Sequence, residues 1–154
     1  MSAMATLVDA LAAALTAENE IIERLLELGE AKRHALQNAE KVSAIAQEEE
    51  ECLIRLDAVE RERLVLTEAF AGSKTAEDLL AHLGDDRPDV RELLQRLAEN
   101  LRRLQDINEL NQELLRESLR FVQFSINALS GDVAITYDRT GPAPSGTSTF
   151  DRKV

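Results

Sequence analysis

The chain has 154 residues, a net charge of −11, 3% aromatic residues, no tryptophan and a single cysteine. This acidic balance argues against nucleic acid or an anionic membrane surface as a partner, because both require an excess of lysine and arginine on some face. No apolar run approaches the ~18 residues of a membrane span. Cys52 has no second cysteine with which to form an internal disulfide. We therefore expect a cytoplasmic protein.

The composition also indicates the fold class. Leu, Ala, Glu and Arg dominate, and Gly and Pro are scarce before the C-terminus, which is typical of long helices or coiled coil. The β-branched and aromatic runs that form strands are absent. We expect an all-α protein with a coiled-coil-like helical bundle over residues 1–131 and a flexible C-terminal tail over residues 132–154.

Two long helices are predicted in the first half of the chain. Apolar residues recur every three or four positions over about residues 4–36 and again over about 39–70. Asn38 is suited to cap the second helix through its side-chain oxygen, which predicts a turn just before it. A continuous helix of about 65 residues is the alternative.

Charged residues interrupt both apolar stripes. If the two helices fold back on each other, Glu18 comes near Arg63 and Lys32 comes near Glu49. One register satisfies both pairs, because each pair of residue numbers adds to 81. We predict an antiparallel hairpin in which these pairs meet and set the register. The alternative is that all four side chains extend into solvent.

A short helix and a third long helix follow the hairpin. Residues 72–74 break the pattern, and Thr75 then begins a short helix that Gly84 closes. The third long helix begins near Pro88, a residue tolerated in a first turn, and runs to about Ser130.

Asn108 and Asn111 stand at adjacent core-type positions in the apolar seam of this last helix. A buried asparagine costs stability unless its amide is hydrogen-bonded, and one such residue in a seam fixes register or partner number. The alternative is that both asparagines face solvent at the edge of the seam.

Beyond these asparagines the apolar surface of the helix widens to roughly 160°, whereas one packing contact requires a little over about 100°. The surplus indicates either two neighbouring helices or a surface kept for another protein. Phe124 lies outside even this arc, among polar residues. The candidate partner-binding residues are Leu114, Leu115, Leu119, Phe121, Val122, Phe124, Ile126 and Leu129.

The tail combines a flexible composition with apolar residues. It holds two of the three prolines and many serines and threonines, a composition that is disordered in isolation. It also contains Ile135, Tyr137 and Phe150. We predict a segment that folds on binding, and an inert tail is the alternative.

Nothing in the sequence supports an enzyme, a cofactor or a metal site. The chain has no GxSxG, CxxC, HExxH or Gly-rich phosphate loop. The carboxylates of residues 48–51 point to different faces of a helix and do not converge on one cation. His34 lies in a stretch similar to the motif of histidine phosphotransfer domains. However, Gln37 and Asn38 stand where that family has Lys and Gly, so phosphotransfer is a remote alternative.

The last helix and the tail also carry a family resemblance. The motif Asn108-x-x-Asn111-x-x-Leu114-Leu115, followed by Thr136-Tyr137, Gly141 and the closing Phe150-Asp-Arg-Lys-Val, resembles the FlgN family of flagellar export chaperones. Upstream, Lys32, the Glu-rich second helix and the stretch Leu56…Glu60-Arg61…Arg63 also fit the family. Asp138 stands where the family often has glycine.

The resemblance implies a binding protein without catalysis or cofactor. Proteins of this family hold the hook-associated proteins FlgK and FlgL in the cytoplasm before type III export. They bind the C-terminal segments of these clients, prevent their premature assembly and then dock on the export-gate protein FlhA. Tyr137 matches the tail tyrosine implicated in that docking. We expect a monomer or weak homo-oligomer. The competing hypothesis is a self-assembling coiled-coil scaffold, in which the wide apolar surface pairs with its copy.

Overall fold

The computed structural model describes residues 2–130, apart from the side chains of Ser118, Phe121, Val122 and Ser130. Within that range the chain is all-α, as predicted, with helices α1 (Ala3–His34), α2 (Ala39–Ala71), α3 (Ala76–Leu83) and α4 (Pro88–Ser130). None of these described helices has the length and apolar character needed to cross a membrane.

The helix ends follow from local sequence. The Asn38 side chain accepts a hydrogen bond from the Lys41 backbone N–H at 3.2 Å, so the predicted break between α1 and α2 is confirmed. Gly72 ends α2 with φ of 79°, a left-handed conformation that costs glycine nothing sterically.

The start of α3 forms only half of a capping box. Thr75 Oγ1 accepts from the Asp78 backbone N–H at 3.1 Å, as predicted. The Asp78 carboxylate accepts from the Ser73 hydroxyl instead of returning to the Thr75 backbone, and this bond lowers the pKa of Asp78. Residues 72–75 therefore form a small hydrogen-bonded turn between α2 and α3.

α1 is the central helix of the fold. α2 and α4 each pack along α1, with far less contact between α2 and α4 themselves. Because α1 has a neighbour on two sides, it buries apolar residues around most of its circumference, whereas α2 fully buries only Cys52, Thr67 and Ala71. The most deeply buried apolar side chains of α1 are Leu11, Leu15, Ile22 and Leu25.

The predicted hairpin register is confirmed. The Arg63 guanidinium donates to the Glu18 carboxylate, and Lys32 Nζ lies 2.7 Å from Glu49 Oε1. The Glu18 side chain is only 3% exposed. This burial raises the pKa of the Glu18 carboxyl, and the nearby Arg63 opposes the shift. The charged interruptions of the two stripes therefore meet each other inside the interface.

α4 runs parallel to α1. Arg87 donates to the Asp9 carboxylate at 2.8 Å near the start of both helices, and Asn111 donates to the Gly29 carbonyl at 3.0 Å near the end of α1. The direction follows from the topology: α2 runs back along α1, so α3 and the start of α4 lie beside the first turns of α1. α4 then repeats the course of α1 on its other side.

Candidate partner-binding surface

α4 is longer than the helix that covers it. It has 43 residues, whereas α1 has 32. Paired residues of the two helices differ in number by 78 at Asp9–Arg87 and by 82 at Gly29–Asn111. These two differences place the end of α1, at His34, beside residues 112–116 of α4. Residues 113–130, called here the distal segment, run for about 27 Å at 1.5 Å per residue, most of it beyond α1.

A polar seam joins α4 to α1 before the distal segment begins. Asn19 Nδ2 donates to the Leu93 carbonyl at 3.1 Å, and Asn100 Nδ2 lies within reach of both Asn19 Oδ1 and the Glu23 carboxylate. The side chains of Asn19 and Asn100 are buried. A buried amide is tolerated here because it is hydrogen-bonded. The α1–α4 contact therefore depends on specific polar pairs as well as on apolar area.

The last close contact of this seam surrounds Gly29. A Cβ atom added at Gly29 would lie 2.6 Å from Ile107 Cγ2, so only glycine allows the two helices to approach this closely. Asn111 is buried, and its amide donates to the Gly29 carbonyl. Its own Oδ1 is also buried and has no hydrogen-bond partner. Of the two asparagines that the sequence places in the seam, Asn111 is buried and Asn108 is half-buried.

The described side chains of the distal segment include several large apolar residues that no other helix covers. Leu119 is 56% exposed, Phe124 70%, Ile126 36% and Leu129 88%. Leu114 and Leu115, closest to the end of α1, are half-buried. Single exposed apolar side chains are ordinary, but several on one unpaired helix indicate an interaction surface.

Three predicted site residues lie outside the description. The structure does not describe the side chains of Phe121 and Val122. Tyr137 lies beyond residue 130, with the rest of the predicted tail. The candidate surface is therefore described by the other six members of the predicted set.

The charge of the chain is unevenly distributed. The distal segment carries two acidic residues, Glu113 and Glu117, and two basic residues, Arg116 and Arg120. It has no charged residue after Arg120. Residues 131–154 hold three acidic and three basic residues, so the net charge of −11 belongs entirely to residues 1–112. A neutral apolar helix end thus extends from the strongly acidic remainder of the described chain, residues 2–112, called here the body.

The geometry adds no support for a functional site at the other residues considered, which are the carboxylates of residues 48–51, His34 and Cys52. Glu48 pairs with Arg24 at 2.7 Å and Glu49 pairs with Lys32, so two of the four successive carboxylates join α2 to α1. Among residues 2–130, no group of His, Cys, Asp or Glu is arranged to hold a metal ion. His34 is the last residue of α1 and is exposed beside the turn. Cys52 is buried in the core, as a small apolar residue would be.

Fold and surface together define an all-α helical protein whose longest helix extends past its own bundle with an uncovered apolar end. The family model described as FlgN protein matches residues 1–145, and the chain belongs to the FlgN family. It is also 29% identical over 113 residues to the uncharacterized protein YvyG of Bacillus subtilis (strain 168), an alignment that covers 70% of this chain and 71% of YvyG. No solved structure matches the chain.

Family membership confirms the resemblance drawn from the sequence and implies a role as a flagellar export chaperone. The family is one of chaperones rather than of known enzymes. Its partners are, in general, flagellar hook-associated proteins.

Proposed function

We propose that the chain is a cytoplasmic chaperone that binds the C-terminal region of the hook-associated proteins FlgK and FlgL. It prevents their premature assembly and delivers them to the type III export gate. The observation that supports this proposal is the distal segment of α4, whose apolar side chains extend past α1 without a covering helix. The family supports the class of client.

The surface suits a helical client. A groove or face of exposed leucine, isoleucine and phenylalanine binds an amphipathic helix through apolar residues spaced three and four apart. Five turns of helix offer enough length to bury roughly 1,000–1,600 Å² in total, the range of specific and still reversible complexes. No nucleotide or metal is needed for such binding.

The acidic body supports the same role. A net charge far from zero keeps protein molecules apart in solution. Because this charge lies in residues 1–112 and not in the distal segment, it opposes aggregation of loaded complexes without repelling the client from its binding surface. The tail, with Tyr137, is proposed to dock on FlhA after the client is bound.

Co-purification with the C-terminal segments of FlgK and FlgL tests the proposal directly. We expect the full chain to retain at least one segment, and we expect Leu119→Asp and Ile126→Asp to reduce its affinity while helix content is unchanged. The matched control is Ile54→Asp, a similarly exposed apolar residue (67%) that lies on α2 and not on the distal segment. Equal losses at Ile54 and Leu119, or failure of the wild type to bind either segment, would contradict the proposal.

The second candidate function is a self-assembling scaffold, since an uncovered apolar helix also suits a second copy of the chain. Analytical ultracentrifugation separates the two. A stable homo-oligomer that Leu119→Asp dissociates, with no affinity for FlgK or FlgL, supports the scaffold. A monomer that forms a defined complex with a client supports the chaperone.

The role proposed for Tyr137 is tested by Tyr137→Ala. We expect client affinity to be retained and docking of the loaded complex on the cytoplasmic domain of FlhA to weaken. A comparison with a chain truncated after residue 131 shows whether other tail residues take part. If client affinity and docking fall together, the proposed separation of the two roles is wrong.

A further inference from the structure

The face of α4 that contacts α1 continues without a break into the distal segment. Four of the buried residues of α4 recur every seven positions: Val90, Leu97, Leu104 and Asn111. A spacing of seven keeps residues on nearly the same side of a helix. The next two members of this line are residues 118 and 125, both serine, which lie past the end of α1.

Two apolar rows flank this line. Helical periodicity places Leu114 and Ala128 on one side, and Leu115 and Leu129 on the other. Before the distal segment, Leu93, Leu94 and Ile107 of the corresponding rows pack against the core, whereas Leu101 is exposed. In the distal segment, the same face has small residues along its middle and larger apolar residues at its sides.

We propose that the client helix takes the place of α1 along the distal segment, lying in line with α1 and beginning where the α1–α2 turn ends. This inference rests on the proposed function and adds the position and chemistry of the bound helix. The turn formed by Ala35–Asn38 then limits how far the client helix can extend toward the body. The bound client and α1 form one continuous cover over α4.

The α1–α4 contact also indicates which side chains the client presents. Where α1 has its smallest residue, Gly29, α4 places Ile107 against it. Large residues of one helix fill the space above small residues of the other, because interiors pack without voids. Above Ser125 we therefore expect a large apolar side chain of the client helix.

A second copy of the chain fits this line less well. Two distal segments paired along the same face would set serine against serine at its centre. That arrangement leaves unfilled space and buries hydroxyl groups without assured partners. An amphipathic client helix with a leucine-rich stripe, like that of α1, fills the same space.

Lysine substitutions on opposite sides of the distal segment test the position of the client. We expect Ser125→Lys to weaken binding of a C-terminal FlgK peptide by about tenfold or more, as measured by fluorescence anisotropy. The control is Asn127→Lys, two residues and about 200° away on the exposed side, and we expect it to change the affinity by less than about twofold. A larger loss at Asn127 than at Ser125 would overturn the proposed position.

Disulfide cross-linking gives a second readout that does not depend on affinity. In a Cys52→Ala background, Ser125→Cys is expected to link to a peptide cysteine at one position of the apolar face and to none on the opposite face, because a disulfide needs Cα atoms within about 7 Å of each other. Gln37→Cys, in the turn, is expected to link only to a cysteine at one end of the peptide, and Gln123→Cys to none.

The possible failures are distinguishable. If the wild type binds the peptide but the links form at Gln123→Cys instead of Ser125→Cys, the proposed function stands and the position is wrong. If neither hook-associated segment binds, the proposed function itself fails. Links between two copies at Ser125→Cys that exclude the peptide would show that a second copy occupies the line, which also overturns the inference.

Discussion

The two parts of α4 are one continuous helix with the same apolar spacing, yet they differ in what covers them. Leu94, in the part beside α1, is half-buried and packs against the core, whereas Leu129, on the same side of the helix, is 88% exposed. Both leucines belong to an apolar stripe that the sequence shows equally well. The comparison teaches that helical periodicity identifies the face that packs, but not whether its partner lies in the same molecule.

The body also explains how an uncovered helix can persist. Starting a helix is costly because several dihedral angles are fixed for the first hydrogen bond, whereas extending one adds a bond per residue. The distal segment continues a helix already started and packed on α1. In the proposed complex the client meets a helix that is already formed, and the entropy cost of binding is smaller than for an unstructured segment.

The largest expected difference between the two parts comes from placing the same charge in each. Leu104→Asp should lower the free energy of unfolding by at least about 4 kcal/mol, since it buries a carboxylate without a partner. Leu119→Asp should change it by less than about 0.5 kcal/mol. Urea unfolding followed by circular dichroism at 222 nm measures both. Similar losses in the two variants would mean that the distal segment is packed in the free protein.

The next largest effect concerns the interface between α1 and α2, where the charged pairs set the register of the hairpin. Arg63→Ala should cost about 3–5 kcal/mol, because it leaves the buried Glu18 carboxylate unpaired. The control is Arg61→Ala, which breaks an exposed pair with Asp57 worth at most about 1 kcal/mol.

The loss in the free energy of unfolding caused by Arg63→Ala should also depend on pH. Burial raises the pKa of Glu18, and removing Arg63 takes away the interactions that oppose this shift. A carboxyl with a raised folded-state pKa contributes stability below its unfolded pKa, and this contribution disappears as the pH rises through the folded value. The variant should therefore be less destabilised at pH 5 than at pH 8. The opposite trend would show that Glu18 is not the buried group responsible.

The smallest expected effect tests where the close contact between α1 and α4 ends. Gly29→Ala should destabilise the protein by about 1 kcal/mol, since overpacking against Ile107 outweighs the gain in helix propensity. In an Ile107→Ala background the same change should become neutral or stabilising, because the clash is gone. A double-mutant cycle on the four proteins measures this coupling. Additive effects would mean that the two helices do not approach closely here.

Much of the fold could be predicted from the sequence because its signals are local. Asn38 and Thr75 cap their helices as expected, and Gly72 and Gly84 lie at helix ends. The hairpin register followed from two charge pairs that a single alignment satisfies, and both pairs form. The candidate surface was predicted from the width of the apolar arc, although its role in binding stays a prediction.

Other parts of the α1–α4 interface could not be predicted. Asn19 and Asn100 read as ordinary polar residues in the sequence, and Gly29 as an interruption of the stripe. Their roles appear only when α1 and α4 lie side by side, because each depends on a residue more than seventy positions away.

The sequence by itself determined that this protein is helical, which residues are suited to cap its helices, and which faces are apolar, since these properties depend on neighbours within a few residues. Only the tertiary structure decided that α4 runs parallel to α1 and extends beyond it by about four to five turns. Whether another helix covers an apolar face depends on the relative lengths and directions of helices that are far apart in the sequence. That mismatch in length leaves the apolar end of α4 outside the bundle.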